Sequence, residues 1–201
     1  GGKTSCAVFA GGKFLFTDAI AIGGDHVTFD IARSLSTPAA EAERIKALYG
    51  SMMRAASDSH EIVSYPYAGD DEEMTYQTTK EELHQIIRPR MESILKLMVE
   101  RADASGLAEA AGDRIVLTGG AAQLIGLGEY CAELLQRPVR ISRPAAISGV
   151  SVGVCGPAFS TVVGLVFAAS EPVSGISRCH DRDSLGSGYL DRVGAWVRSG
   201  F

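Results

Sequence analysis

The spacing of apolar side chains predicts a β-hairpin and then a helix at the start of the chain. Residues 5–10 and 14–22 are short, mainly apolar runs bounded by glycines, which is typical of strands. Between these runs lies Gly11–Gly12–Lys13, a sequence that suits a tight hairpin turn. After a second glycine pair, Gly23–Gly24, the apolar residues that follow His26 take up the helical period.

Two further helices are predicted from signals at their ends. Thr37 can cap a helix that begins at Pro38 and stops at Gly50, where a glycine in the left-handed conformation would end it. The sequence Thr79–Glu82 is a capping box that opens the longest helix. His84 falls on the polar face of this helix, so we expect it to be solvated. The apolar stripe of the same helix consists of Leu83, Ile87, Met91, Ile94 and Met98.

Short strands and further helices are predicted in the rest of the chain. The strand candidates are "EIVSYPY" and "EMTYQT" in the middle and "RIVLTGG" and "PVRIS" nearer the end. A helix is predicted at about residues 121–136, and "PAFSTVVGLVFAA" has the composition of a buried helix rich in small residues. Residues 171–187 are polar without an apolar period, which is typical of a flexible linker.

The composition is that of a folded protein and argues against several classes of function. Hydrophobic residues make up 46% and charged residues 21% of the 201 positions. The net charge of −5 and the lack of a basic stripe argue against nucleic-acid binding. Four scattered cysteines without a CxxC pair argue against a zinc site or a disulfide framework, and they favour a reducing compartment. The longest apolar run, residues 162–169, is far shorter than the ~20 residues that cross a bilayer.

Two junctions between a strand and a glycine pair are candidates for a nucleotide site. Gly1–Gly2–Lys3–Thr4 leads into the first strand, and Gly119–Gly120 follows the strand in "VLTGGAAQ". Glycine lets the backbone approach a ligand closely, and backbone N–H groups beside a helix N-terminus bind anions. A single glycine pair is more often a simple turn, and the occurrence of two such junctions favours nucleotide binding only modestly, so both interpretations stay open. No Ser–His–Asp or Cys–His arrangement is recognisable, so we assign neither a catalytic residue nor a metal ligand.

Glu43 and Lys46 lie three positions apart in the second predicted helix and therefore share a face. Their spacing alone favours a surface ion pair, which is worth less than ~1 kcal/mol. The alternative is a carboxylate and an ammonium group directed at the ribose hydroxyls and the base edge of a nucleotide.

The segment 188–201 is amphipathic if it is helical. Its apolar residues fall within an arc of roughly 140° on a helical wheel. A tryptophan together with Arg192 and Arg198 suits the headgroup boundary of a membrane, although the helix could instead dock on its own domain or on a partner. The apolar arc consists of Tyr189, Leu190, Val193, Trp196, Val197 and Phe201.

Three stretches together resemble the FtsA family of bacterial cell-division proteins. They are "GGKTSCAVFAGGKF…IAIGGDHVTFDIARSLSTPAAEAERIKALYG", "IVLTGGAAQLIGL" and "FSTVVGLVFAA". The similarity covers about residues 1–170 and corresponds to the C-terminal half of the family's proteins. The amphipathic segment follows it, at the position where the family has its membrane anchor. It implies an α/β fold, namely an actin-like (ribonuclease H-like) half with two subdomains and a C-terminal amphipathic helix.

The resemblance also implies a domain organisation. Residues 1–22 and 113–170 would form the nucleotide-binding subdomain, and residues 23–112 would be a second subdomain inserted into it. Residues 171–187 would be a flexible linker, and residues 188–201 a membrane-targeting helix.

The ligand implied by the resemblance is ATP with Mg²⁺. The family's phosphate loop usually reads Asp-x-Gly-Gly-Gly-Thr-Thr, so its aspartate would precede residue 1, and Lys3 stands in place of a threonine. Because this sequence supplies one wall of the cleft, we expect an incomplete site that binds ATP poorly. The implied contacts are Gly1, Gly2 and Thr4 at the β- and γ-phosphates, Gly23 and Gly24 at the cleft mouth, Glu43 and Lys46 at the ribose and adenine, and Gly119, Gly120 and Gln123 in the adenosine loop.

The resemblance implies an adaptor that tethers FtsZ filaments to the cytoplasmic face of the inner membrane at the division site and that self-associates. Arg88 and Arg90 would pair with the acidic C-terminal tail of FtsZ, or they form a solvated basic patch. Enzymatic activity would be at most a weak ATPase of the full-length protein. Two alternatives stay open. The first is a pilus-assembly protein like PilM, and the second is an actin-like ATPase or sugar-kinase-type enzyme. PilM and the rod-shape protein MreB share the nucleotide elements with the FtsA family.

Overall fold

The computed structural model describes residues 1–69, 74–107, 112–147 and 155–170. Contacts along the chain define one unit, Gly1–Gly164, and a second that begins at Leu165. The predicted linker and the predicted amphipathic helix, including Leu190, Val193, Trp196, Val197 and Phe201, lie outside the described residues. The division of the first unit into two subdomains stays a prediction.

The chain opens with the predicted hairpin. Strand β1 spans Thr4–Ala10 and strand β2 spans Lys13–Ile20, and the two pair in antiparallel register. Gly11 and Gly12 form the turn with φ of +56° and +76°. Positive φ at both central residues is what a type I′ hairpin turn requires, and glycine adopts it without steric cost. The hairpin prediction is therefore confirmed.

Two helices follow the hairpin. Helix α1 spans Gly24–Leu35 and helix α2 spans Ala39–Tyr49. Thr37 does not cap α2, because its hydroxyl donates a hydrogen bond to the Pro66 carbonyl oxygen at 2.6 Å. The predicted cap is thus wrong, because a partner distant in the chain has replaced the local one.

Gly50 ends α2 for a reason that differs from the predicted one. Its φ is −66°, so it is not the left-handed cap that the sequence suggested. A Cβ atom at this position would overlap the Lys46 carbonyl oxygen and lie 2.7 Å from Leu124 Cδ2. Glycine is needed here because a side chain would overlap the last turn of α2 itself and the Leu124 side chain of a distant segment, and not because of a left-handed conformation.

A second hairpin leads into the longest helix. Strands β3, Ile62–Pro66, and β4, Thr75–Thr79, pair antiparallel where strands were predicted. Helix α3 then spans Lys80–Ala104. The Thr79 hydroxyl accepts a hydrogen bond from the Glu82 N–H at 3.2 Å, and the Glu82 carboxylate accepts one from the Thr79 N–H at 3.1 Å. These two bonds confirm the capping box.

Helix α3 organises the core of the first unit by packing against α1, β1, β2 and β4. Its predicted apolar stripe is buried from Leu83 to Ile94, and Met98 packs against the core while partly exposed. His84 is also buried, with 4% of its surface exposed, and its Nε2 lies 3.2 Å from the Met52 carbonyl oxygen. The expectation that His84 is solvated is wrong.

The second half of the chain contains a parallel strand pair. Strand β5, Ile115–Leu117, pairs in parallel with β6, Val139–Ile141, and both lie where strands were predicted. The single helix predicted between them is instead a 3-10 helix at Gly120–Gln123 and helix α4 at Leu127–Leu135. Ile125 causes the break. Its N–H donates a hydrogen bond to the Gly50 carbonyl oxygen at 3.3 Å, and its carbonyl oxygen accepts one from the Met52 N–H at 2.8 Å.

The last described helix was predicted to be buried. A short 3-10 helix at Pro157–Phe159 leads into α5, Ser160–Ser170. Val163 is the buried residue of α5, and its neighbour Val162 is 59% exposed. The helix is therefore present as predicted, but its expected burial is wrong. Across the described ranges, no helix combines the length and hydropathy that crossing a membrane requires.

Candidate functional site

The N-terminal glycine loop lies against the start of α1. The Asp25 N–H donates to the Gly1 carbonyl oxygen at 3.1 Å, and the Thr4 hydroxyl donates to the Ile22 carbonyl oxygen at 2.8 Å. A Cβ atom at Gly23 would overlap the Gly1 carbonyl oxygen and would lie 2.7 Å from that of Lys3. The structure therefore brings together two glycine pairs that the sequence separates by some twenty residues.

Helix α2 contributes a charged pair to the same region. The Lys46 ammonium group donates to the Glu43 carboxylate at 2.5 Å and to the Gly24 carbonyl oxygen at 3.1 Å. Lys46 is 8% exposed, whereas the Glu43 side chain is 54% exposed. The interpretation of this pair as a surface ion pair thus fails for Lys46, which is buried against the first turn of α1.

Hydrogen bonding controls the charge of Glu43. Burial raises the pKa of its carboxyl group, but the hydrogen bonds from Lys46 and Thr28 outweigh this effect. The net pKa lies below its usual value, so the carboxylate is ionised at neutral pH and can accept hydrogen bonds from hydroxyl groups.

The loop after β5 forms the third side of the site. A Cβ atom at Gly24 would lie 3.2 Å from Ala121 Cβ, so this loop touches the start of α1. Gly119 has a φ of +100°, and its N–H donates to the Pro157 carbonyl oxygen at 3.0 Å. Gln123 is exposed, with its amide 3.5 Å from the Gly120 carbonyl oxygen. The predicted glycine pairs and the Glu43–Lys46 pair therefore converge on the N-terminus of α1.

Two residues at this point were missed by sequence reasoning. Thr28 lies one helical turn beyond Gly24 and joins the Glu43 and Lys46 side chains by hydrogen bonds. The Asp25 carboxylate is 3.7 Å from where a Cβ at Gly2 would lie. The i, i+4 spacing of Gly24 and Thr28 on one helix face could have suggested the first of these.

Arg88 and Arg90 lie on different sides of α3 and do not form one patch. Arg90 forms two hydrogen bonds to the Asp30 carboxylate on α1, at 2.6 Å and 3.0 Å. The Arg88 guanidinium lies 5.2 Å from the centre of the Tyr130 ring on α4, beside a cavity of about 570 Å³. Each arginine is thus held by a partner within the chain. In the described ranges, His, Cys, Asp and Glu side chains form no cluster that could hold a metal ion.

Comparison with known proteins identifies the family. The family model "Cell division protein FtsA" matches residues 1–164. The chain is 41% identical to the cell division protein FtsA of Agrobacterium fabrum over 206 aligned positions, covering 100% of the chain and 46% of that protein. It is 32% identical to FtsA of Escherichia coli K12, covering 100% of the chain and 50% of that protein. The chain thus spans about half the length of the curated relatives it matches and corresponds to their C-terminal half.

Solved structures of low sequence identity share the fold. MreB5 of Spiroplasma citri bound to ADP superposes with a TM-score of 0.62 at 16% identity, over 84% of this chain and 51% of that one. PilM in the PilM–PilN complex of type IV pilus biogenesis superposes with a TM-score of 0.59 at 20% identity, over 85% of this chain and 44% of that one. Together with the family match, this likeness leads to one conclusion: the chain belongs to the FtsA family of cell division proteins and has the actin-like fold.

Proposed function

We propose that this chain is part of an ATP-binding, actin-like adaptor that anchors FtsZ filaments to the cytoplasmic face of the inner membrane at the division site. The observation that carries the proposal is the convergence of the two glycine loops and the Glu43–Lys46 pair on the N-terminus of α1. Backbone N–H groups and the positive end of a helix favour a phosphate group at such a point. Self-association belongs to the same proposal.

The residues present suit a nucleotide. Glycine at positions 23 and 24 keeps side chains out of the junction, where Lys3 and Ala121 approach closely. In this proposal the backbone of Gly1, Gly2 and Thr4 holds the β- and γ-phosphates, and Mg²⁺ neutralises part of their charge. Glu43 accepts hydrogen bonds from the ribose, and the loop Gly119–Gln123, which includes Gly120, borders the adenosine.

Adding ATP with Mg²⁺ to the isotope-labelled chain is expected to shift amide NMR signals of Gly2, Gly24 and Gly120. NMR suits this test because it detects binding with Kd as weak as about 1 mM. Gly11 and Gly12 are the internal control, because they form the turn of the first hairpin and should not shift. Equal shifts at the turn, or no shifts at the three glycines, would contradict nucleotide binding at this site.

The proposed contact with the FtsZ tail uses the Arg90 side chain on α3. Arginine binds carboxylates through paired hydrogen bonds, as Arg90 does with Asp30. The Arg90 side chain is 36% exposed, so it is accessible to an acidic peptide that competes with Asp30. In this proposal the peptide replaces one carboxylate partner of Arg90 with another, whereas Arg88, which lies on a different side of α3 against Tyr130, is not part of the same contact.

Arg90→Gln is expected to weaken binding of a peptide with the sequence of the FtsZ C-terminal tail by roughly tenfold, because a charged hydrogen bond is lost. Asp30→Asn is the matched control, since it removes the same ion pair but frees Arg90. Fluorescence anisotropy should find the Asp30→Asn chain at least as tight a binder as the unsubstituted chain. Equal weakening by both substitutions would mean that the ion pair serves the fold and that Arg90 is not a peptide contact.

A further inference from the structure

The strand pair β5–β6 carries a group of exposed arginines. Residues 137–147 contain three arginines and no acidic residue, although the whole chain has a net charge of −5. Arg114, just before β5, adds a fourth, and all four residues are exposed. The ion pairs found among the described residues belong to other arginines, so this positive charge is available to a partner. The group, named the arginine edge, consists of Arg114, Arg137, Arg140 and Arg143.

The backbone of β6 spreads these arginines along a line. The chain stays beside β5 beyond the end of β6, where the Ser142 N–H donates to the Leu117 carbonyl oxygen at 2.8 Å. From Arg137 to Arg143 there are six residue steps, which cover roughly 20 Å in an extended chain. Arginines spaced over this length do not converge on one small anion. They suit an extended surface of negative charge.

The face of β5–β6 that carries Arg140 is turned away from helix α4. Ile141 lies on the other face, because its Cδ1 atom is 3.6 Å from where a Cβ atom at Gly128 of α4 would lie. Side chains alternate between the two faces of a strand, so Arg140 projects from the opposite face. Its ladder partner Val116 is 47% exposed. Guanidinium groups next to exposed apolar side chains suit the headgroup boundary of a bilayer.

We infer that the arginine edge is a second membrane contact, which binds the headgroups of anionic lipids in addition to the amphipathic anchor. This inference rests on the proposed function. A single short apolar segment binds a bilayer only weakly, and an added basic surface strengthens the attachment because both contacts are made by one chain. Residues 171–187 would reach about 55 Å if extended, which lets the arginine edge and segment 188–201 contact the same bilayer.

The test measures co-sedimentation of the full chain with vesicles of phosphatidylcholine alone and of phosphatidylcholine mixed equally with phosphatidylglycerol. The combined substitutions Arg137→Gln, Arg140→Gln and Arg143→Gln are expected to weaken binding to the anionic vesicles at least about tenfold, since each basic side chain at such a surface contributes roughly fivefold. Binding to the neutral vesicles should be unchanged, because the apolar segment alone contributes there. Lysine at the same three positions keeps the charge and should preserve binding.

The matched control combines Arg33→Gln, Arg44→Gln and Arg54→Gln. It changes the net charge by the same amount at exposed positions elsewhere in the first unit. This control should bind anionic vesicles nearly as tightly as the unsubstituted chain. Equal weakening by both sets of glutamine substitutions would mean that net charge alone controls binding, and the inference would be wrong. Equal weakening by lysine and glutamine at the arginine edge would indicate damage to the fold and would also overturn it.

Other outcomes would assign the arginine edge a different role. Unchanged vesicle binding with new self-association, detected by light scattering, would mean that the arginines protect an exposed strand from pairing with another chain. Unchanged vesicle binding with lost affinity for polyglutamate would assign the edge to an acidic protein. Both results refute the lipid contact and leave the anchor through Trp196 standing. Absence of vesicle binding by the unsubstituted chain would instead refute membrane anchoring itself, and the inference with it.

Discussion

Gly23→Ala is expected to lower the free energy of unfolding by about 3 kcal/mol, the upper range for an overpacked site. The new methyl group would overlap the Gly1 carbonyl oxygen and lie within 2.7 Å of that of Lys3. Both obstacles are backbone atoms, which cannot rotate away as a flexible side chain can. The φ of Gly23 is −162°, an extended conformation open to any residue, so the effect arises from contact and not from backbone strain.

Because Gly23→Ala would push the N-terminal loop away from α1, it should also remove the ATP-dependent NMR shifts at Gly2 and Gly24. Urea unfolding measures the loss of stability. The matched control is Gly2→Ala, because a Cβ there meets Asp25 Oδ2 at 3.7 Å, an ordinary contact distance. This control should unfold within about 0.5 kcal/mol of the unsubstituted chain, as substitutions away from packed sites do. Equal stability of both variants would contradict the packing described for Gly23.

Trp196→Glu is expected to weaken binding to vesicles of anionic lipid by at least about tenfold, because a large apolar side chain is lost from the proposed membrane-facing arc. A carboxylate would in addition be repelled by the anionic surface. Co-sedimentation with vesicles measures the effect. The proposal rests on the spacing of the apolar residues of segment 188–201, which lies outside the described residues.

Ala195→Glu is the matched control for the membrane test. It adds the same charge at the adjacent position, which falls outside the apolar arc on the helical wheel. This variant should lose much less vesicle binding than Trp196→Glu. If both variants lose the same amount, charge alone controls binding, and the segment does not insert an apolar face. If neither loses binding, the segment is not the anchor.

Local sequence signals predicted the elements of this fold well. The turn at Gly11–Gly12 and the capping box at Thr79–Glu82 depend on residues close together in the chain, so their chemistry can be recognised directly. The period of α3 predicted its buried stripe, because the spacing of apolar residues determines which face a helix buries. The glycine loops were recognisable as candidates for the same reason.

Predictions failed where a distant segment changed the local outcome. Thr37 bonds to Pro66 rather than to its own helix, and Ile125 bonds to Gly50 and Met52, which divides a predicted helix. His84 is buried although the pattern places it on the polar face of α3, and the Met52 carbonyl oxygen of a distant segment lies beside it. None of these partners is near in the chain, so periodicity and capping signals contain no information about them.

The sequence by itself determined the family, the order of strands and helices up to the division of one helix, and the residue types of the candidate site. Only the tertiary structure decided that Lys46 is buried with three protein acceptors, that Arg88 and Arg90 contact different helices, and that Gly23 lies against the N-terminal loop. The physical reason is that propensity and period act over a few residues. Burial, the partners of a charge and the space available to a side chain are set by segments that folding brings together.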